Sequence, residues 1–278
     1  MWATLALLTT LSGDVPPFQL VAMAFSCAFA LALGKWLWAG EAVLAKLKLP
    51  IRVWLLGVGG LFGYHFFYFL ALRNAPPVEA GLIAYLWPLL IVLASALLPG
   101  ERLRWWHILG ALMGLGGTVA LVLGNHGGGL SGFKSQYWLG YLMAIACALT
   151  WTAYSVLSRR LAHLPTATVG AFCGATAVLA ALAHVAFETT VWPSGGQWLA
   201  VLGLGLGPVG IAFFTWDYGV KHGNIQALGA LSYGAPLLST LLLIVAGKGE
   251  ATLNVAVACV AIVGGAVLAS KDMLVRKG

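Results

Sequence analysis

The chain has 278 residues, 15 of them basic and 8 acidic, with 61% hydrophobic residues and a mean hydropathy of +0.93. So little polar surface excludes disorder, a nucleic-acid-binding arm and a soluble domain. The net charge of +7 sits in short clusters between apolar runs, which makes it a signal of topology.

Met1 to Leu11 is a short apolar stretch without a basic flank or a small-residue cleavage pattern, so no cleavable signal peptide is expected. Runs of membrane-spanning length, about 17 to 25 residues, follow near 18–38, 53–72, 77–98, 105–123, 137–158, 167–187, 198–218, 224–246 and 252–270. Lys35 to Pro50 mixes Trp36, Trp38 and leucines with Lys46 and Lys48, the pattern of a helix lying on the membrane surface. Gly124 to Gln136 is rich in Gly and Ser and reads as a linker between halves spanning 1–123 and 137–278. Cys27, Cys147, Cys173 and Cys259 stand singly in apolar runs, so neither a disulfide framework, a metal site nor a cofactor is expected.

The halves repeat each other. Tyr85, Pro88, Gly116 and Gly117 recur 148 positions later as Tyr233, Pro236, Gly264 and Gly265. Arg73 matches Lys221, Gly57 and Gly59 match Gly205 and Gly207, and Trp2 and Pro16 recur 149 positions on as Trp151 and Pro165. Five helices per unit is an odd number, so the second unit inserts upside down. The expected fold is an all-α membrane protein of ten transmembrane helices in two inverted five-helix repeats, the architecture of secondary transporters. Fourteen residues of the sixth helix precede Trp151 but one precedes Trp2, so helix one reads as truncated. With both termini in the cytoplasm, twelve Lys and Arg lie inside and three (Arg73, Lys134, Lys248) outside.

Each unit ends in a proline-centred helix, a short acidic turn and a Gly-rich helix. The first shows APPVEAGLIAYLWPLLIVLASALLPGERL then GALMGLGGTVAL; the second shows GNIQALGALSYGAPLLSTLLLIVAGKGEATL then AIVGGAVLA. These segments resemble the drug/metabolite transporter superfamily, EamA type, over nearly the whole chain. The resemblance implies ten helices, a bacterial plasma-membrane location, export of small metabolites and no obligate protein partner. The aromatic cluster below resembles the branch that exports aromatic amino acids.

Pro88 and Pro236 fall mid-helix and lack an amide hydrogen, freeing the carbonyls of Ala84 and Ser232. In lipid such groups need a neighbour or a water-lined cavity; a plain packing kink is the simpler alternative. Tyr64, His65 and Tyr68 lie on one face of GYHFFYFL, with Tyr85 and Trp87 at similar depth in the next span. Their polar tips need partners in hydrocarbon, which favours a substrate site formed with Trp151, Tyr154, Ser232 and Tyr233. Phe66, Phe67 and Phe69 read as packing residues, and Trp216, the repeat match of Tyr68, as a wall of the same cavity. Leu86 and Trp87 become Gly234 and Ala235 in the second unit, so a bulky wall faces open space, which suits a flat side chain. The stripes Gly57–Gly63 and Gly203–Gly210 permit close helix approach, static or sliding.

Every acidic residue falls at or near a predicted helix end, and Asp217 with Lys221 reads as an i, i+4 pair at the cytoplasmic face. With no carboxylate at the midplane and His65 the one titratable group there, downhill transport without proton coupling is expected. His184 reads as a packing histidine. The leading function is a carrier exporting neutral, chiefly aromatic, amino acids by alternating access. Alternatives are an exporter of other metabolites or drugs in that superfamily, a membrane-embedded enzyme, for which no nucleophile, base or metal set converges, and a channel or structural bundle, which the midplane prolines disfavour.

Overall fold

The computed structural model describes residues 1–125, 134–245 and 252–275. Among these, every element is helical, and eight helical stretches are long and apolar enough to cross a membrane. The first and last apolar helices, Trp2–Leu11 and Leu253–Ala269, are shorter. The chain is therefore an all-α, multi-pass membrane protein.

In chain order the elements begin with α1 (Leu5–Leu11), preceded by a 3-10 turn, and α2 (Pro17–Trp38). Pro17 starts α2 where a missing N–H costs nothing. The exposed donors of that first turn are taken by Glu188, whose Oε1 and Oε2 accept from the amides of Phe18 (2.9 Å) and Gln19 (3.1 Å). A carboxylate there also complements the helix dipole. His184 Nδ1 lies 3.0 Å from the same carboxylate and its Nε2 2.8 Å from Thr190 Oγ1, so this histidine braces a helix cap.

The surface helix expected over Lys35–Pro50 is divided. α2 runs on to Trp38, and a single turn, α3 (Val43–Leu47), follows with the Lys46–Glu41 ion pair at 2.6 Å. Next come α4 (Ile51–Asn74), α5 (Pro77–Ala84), α6 (Trp87–Ala94) and α7 (Trp105–Asn125). Residues 126–133 of the Gly- and Ser-rich connection lie outside the described residues, as do Lys248, Glu250, Arg276 and Lys277. The second half has α8 (Trp138–Arg160), α9 (Thr168–Phe187), α10 (Gln197–Leu206), α11 (Ala212–His222), α12 (Ile225–Ser232), α13 (Gly234–Val245), α14 (Leu253–Ala269) and α15 (Lys271–Val275).

Three runs that the sequence presents as single spans are broken in the middle. Tyr85 and Leu86 separate α5 from α6, and Tyr233 separates α12 from α13, each break lying just before the proline of its span. α10 and α11 are joined by a π-helical segment, Gly207–Ile211, containing Pro208. Proline and π geometry both interrupt the i→i−4 ladder.

Packing rests on three close helix pairs, α2 with α9, α4 with α8, and α7 with α14. Glycines permit close approach within these pairs, between α4 and α9, and between α10 and α2. A Cβ on Gly60 would strike Tyr154, one on Gly57 would strike Phe172, and one on Gly205 would strike Cys27. Gly59 and Gly207, by contrast, face open space. In the α7–α14 seam backbone meets backbone, with Gly110 against the Gly265 carbonyl, and Gly117 packs against Ile262.

Candidate functional site

The broken helices surround a cavity of about 550 Å³ in the middle of the bundle. Its floor is aromatic. Trp2, Trp87 and Trp151 line it, with ring centroids 6.0 to 6.2 Å apart and edge-to-face geometry. Trp216 backs the floor, 5.1 Å from Trp2 and 5.6 Å from Trp87, and its indole N–H donates to Ser155 Oγ at 3.1 Å. The Trp2 indole donates to the Pro208 carbonyl at 3.0 Å, a group within the π segment.

One wall comes from α4. Tyr64 and Tyr68 stack in parallel, centroids 6.2 Å apart, and both line the cavity with His65. His65 Nδ1 lies 2.7 Å from the Leu61 carbonyl, one turn back. A carbonyl accepts only, so Nδ1 carries the proton and Nε2 is the ring's remaining polar atom. Phe25 meets His65 edge-on at 5.4 Å and Phe213 is stacked on Phe25 at 5.5 Å, fixing the ring from behind.

The broken helices supply the rest. Ala84, Tyr85, Ser232, Ala235, Pro236 and Ser239 line the cavity, so both discontinuities open into it. Trp87 and its repeat match Ala235 share this space, and a Cβ on Gly234 would meet nothing. Polar side chains that line the cavity carry hydroxyls or an imidazole, and among the described residues that line it there is no Asp, Glu, Lys or Arg.

Two of the expected site residues are elsewhere. Tyr154 is buried beneath the floor against Gly60, and it lines a separate small cleft with Ser158, Asp217 and Lys221. Tyr233 is buried against Gly114, and its hydroxyl accepts from the Leu89 amide at 3.2 Å. The role of Tyr233 here is thus to satisfy an N–H that the break before Pro88 leaves without its helical partner. Pro88 is buried and is not a lining residue, unlike Pro236. The Asp217–Lys221 pair is no surface pair. Its atoms meet at 2.8 Å with side chains only 2% and 4% exposed, and Lys221 Nζ also donates to the Leu164 carbonyl at 3.1 Å.

Other residues were missed. Phe69, read as packing, lines the cavity, as do Trp2, Pro208 and Phe213. Trp2 had a usable signal, its repeat match to Trp151, but a helix read as truncated offered no basis for placing it. Among the described residues, no group of three His, Cys, Asp or Glu could hold a metal ion.

A multi-pass helical bundle whose half-helices meet at a central, uncharged cavity is the form of a membrane carrier. The chain belongs to the EamA-like transporter family, whose model matches residues 1–123 and 138–271. It is 58% identical over 270 residues to the aromatic amino acid exporter YddG of Ancylobacter novellus, covering 97% of this chain and 93% of that protein. The Escherichia coli aromatic amino acid exporter YddG is 26% identical over 174 residues, 59% of this chain and 57% of its own. A solved crystal structure superposes with a TM-score of 0.91 at 56% identity, covering 99% of this chain and 95% of its own. The protein is therefore a transmembrane carrier related to aromatic amino acid exporters, and not an enzyme.

Proposed function

We propose that this carrier exports neutral, chiefly aromatic, amino acids across a bacterial inner membrane by alternating access. The observation that carries the reading is the cavity, an aromatic chamber without formal charge and of a volume usual for small-molecule sites, about 300–1,000 Å³. Trp2, Trp87 and Trp151 would stack on the substrate ring. Tyr64, His65, Tyr68, Tyr85 and Ser232, with the carbonyls at the helix breaks, would meet its ammonium and carboxylate. The N-terminal ends of α6 and α13 point partial positive charge toward the same region, which favours a carboxylate. The relatives described above are aromatic amino acid exporters, which agrees with this substrate class.

The mechanism uses ten spans arranged as two inverted repeats, 1–123 and 137–278, with both termini cytoplasmic. α6 packs against α12, whereas no comparable contact joins their inverted counterparts α13 and α5. In an inverted repeat, exchanging these two relationships moves the opening to the other face. The twelve-to-three charge bias supports the orientation. A thiol tag between Gly124 and Gln136 should react with an impermeant reagent added outside intact cells; reaction only after permeabilisation reverses the topology.

Transport is downhill and uncoupled from protons, because no carboxylate lines the cavity. The test is tryptophan efflux from proteoliposomes holding only this protein. Saturable efflux whose final distribution ignores an imposed pH gradient is expected. Accumulation against the substrate gradient, abolished by His65→Ala, would reveal proton coupling. Absence of competable amino-acid flux would remove the substrate reading itself.

A further inference from the structure

One guanidinium joins the elements that close the bundle below the aromatic floor. α8 carries Arg159 eight residues beyond Trp151, about 12 Å along the axis at 1.5 Å per residue. Leu72, at the cavity's far end, is displaced from Tyr64 by as many residues in the opposite sense, since α4 and α8 run antiparallel with Gly60 on Tyr154 and Gly140 on Ala75. The cavity therefore extends away from the face that Arg159 occupies.

Arg159 Nη1 donates to the carbonyls of Val220 (2.9 Å) and Gly223 (2.7 Å), and Nη2 meets Glu101 Oε1 at 2.5 Å. The second oxygen of Glu101 accepts from Gln226 Nε2 at 3.1 Å. Gly100, at φ +82°, takes the left-handed turn that precedes Glu101. The end of α8, the end of α11, the first turn of α12 and the loop entering α7 are thus tied through one planar fork. A lysine, with a single point of charge, could not reproduce that geometry. The Lys221 bond to Leu164 ties α11 to the loop after α8 beside it.

In the sequence of the other repeat the two partners of Glu101 are replaced. The offsets that match Trp2 with Trp151 and Pro88 with Pro236 set Thr10 opposite Arg159 and Val78 opposite Gln226. The turn glutamate alone recurs, as Glu250. At these two positions the opposite face therefore offers neither the cation nor the amide.

We infer that Arg159 latches this face shut and, lacking a counterpart, weights the resting carrier toward the conformation whose cavity opens to the other side, making the substrate KM unequal on the two faces. The inference rests on the alternating-access reading. A carrier that is open to one face only part of the time binds there with an apparent constant raised by the inverse of that fraction. A passive carrier must keep Vmax/KM equal on both faces, so the latch redistributes KM and Vmax without changing their ratio.

The experiment measures two quantities in oriented proteoliposomes. One is tryptophan KM from each face. The other is maleimide labelling of Ser155→Cys from the latched face, above the labelling of the parent with its native cysteines. Ser155 is buried under the floor, so its thiol reports opening from that side without any substrate. Arg159→Gln should lower the KM on the latched face relative to the other face about tenfold and raise the labelling rate by a similar factor, about 1.4 kcal/mol in the equilibrium. Arg159→Lys should fall between the two. Unchanged KM ratio and labelling in a monodisperse Arg159→Gln protein overturn the latch. If that variant does not fold, Gln226→Ala is read instead: a smaller shift in the same direction supports the latch, and no shift overturns it. Faster labelling without flux of any amino acid upholds the latch while removing the substrate assignment.

Discussion

Trp87→Ala is expected to raise the KM for tryptophan about tenfold while changing that for threonine or alanine by less than about threefold, since tenfold corresponds to about 1.4 kcal/mol. The indole of Trp87 lines the cavity and contacts Trp2, Trp151 and Trp216 edge-on. Aromatic pairs of this kind contribute about 0.5–1.5 kcal/mol each beyond the area they bury. A substrate ring that stacks here loses one such contact and part of its burial, whereas a small substrate loses little. Its repeat match, Ala235, also lines the cavity, so the second unit contributes no matching bulky side chain. A competition panel in proteoliposomes reads the difference. Equal losses for large and small substrates would make Trp87 a support of the floor and remove its role in selectivity.

Gly110→Ala is expected to cost about 3 kcal/mol or more, at the upper end of what overpacking does in a core. The new methyl group would overlap the Gly265 carbonyl and sit against the backbone of Ala269, neither of which is a side chain that can rotate away. Helices packed through small residues have little else holding them together in lipid, because lipid tails are as apolar as leucine. Loss of detergent-solubilised monodisperse protein on heating measures this. Gly116→Ala, in the same helix but facing open space, is the control. Similar melting behaviour for the two variants would show that the seam yields more easily than its geometry implies.

Much of this architecture follows from patterns local in the chain. The prolines at 88 and 236 mark where the spans break, because a missing amide hydrogen has the same effect in any fold. Tyr64, His65 and Tyr68 announce a polar face because their tips have nowhere to go in hydrocarbon. What failed was rotation and depth. Tyr154 and Tyr233 have the same composition signal as Tyr64 and Tyr85, yet they point into Gly60 and Gly114, and a sequence does not state which face a neighbouring helix will cover. Phe69 has no polar tip to betray it. Asp217 sits about one turn from the end of its helix, where a charge usually reaches water; the packing of α4, α8 and α9 around that turn encloses it. The π segment at Gly207–Ile211 reads only as part of a glycine stripe, because its proline has no repeat match: Gly60 stands where Pro208 does.

The charge arrangement around the cavity has a consequence for how far export can run. A zwitterionic amino acid carries no net charge, the described residues lining the cavity add none, and the buried Asp217–Lys221 pair lies entirely on α11 and so moves as a neutral unit. Carrying one net charge through the membrane potential would be worth about 2.3 kcal/mol per 100 mV. A cycle that displaces no charge neither gains nor loses that work. Under the uncoupled transport proposed above, the electrical polarisation of the membrane would do no work on the cycle, and the outward gradient would be set by cytoplasmic accumulation of the amino acid alone. Such a carrier would behave as an overflow valve.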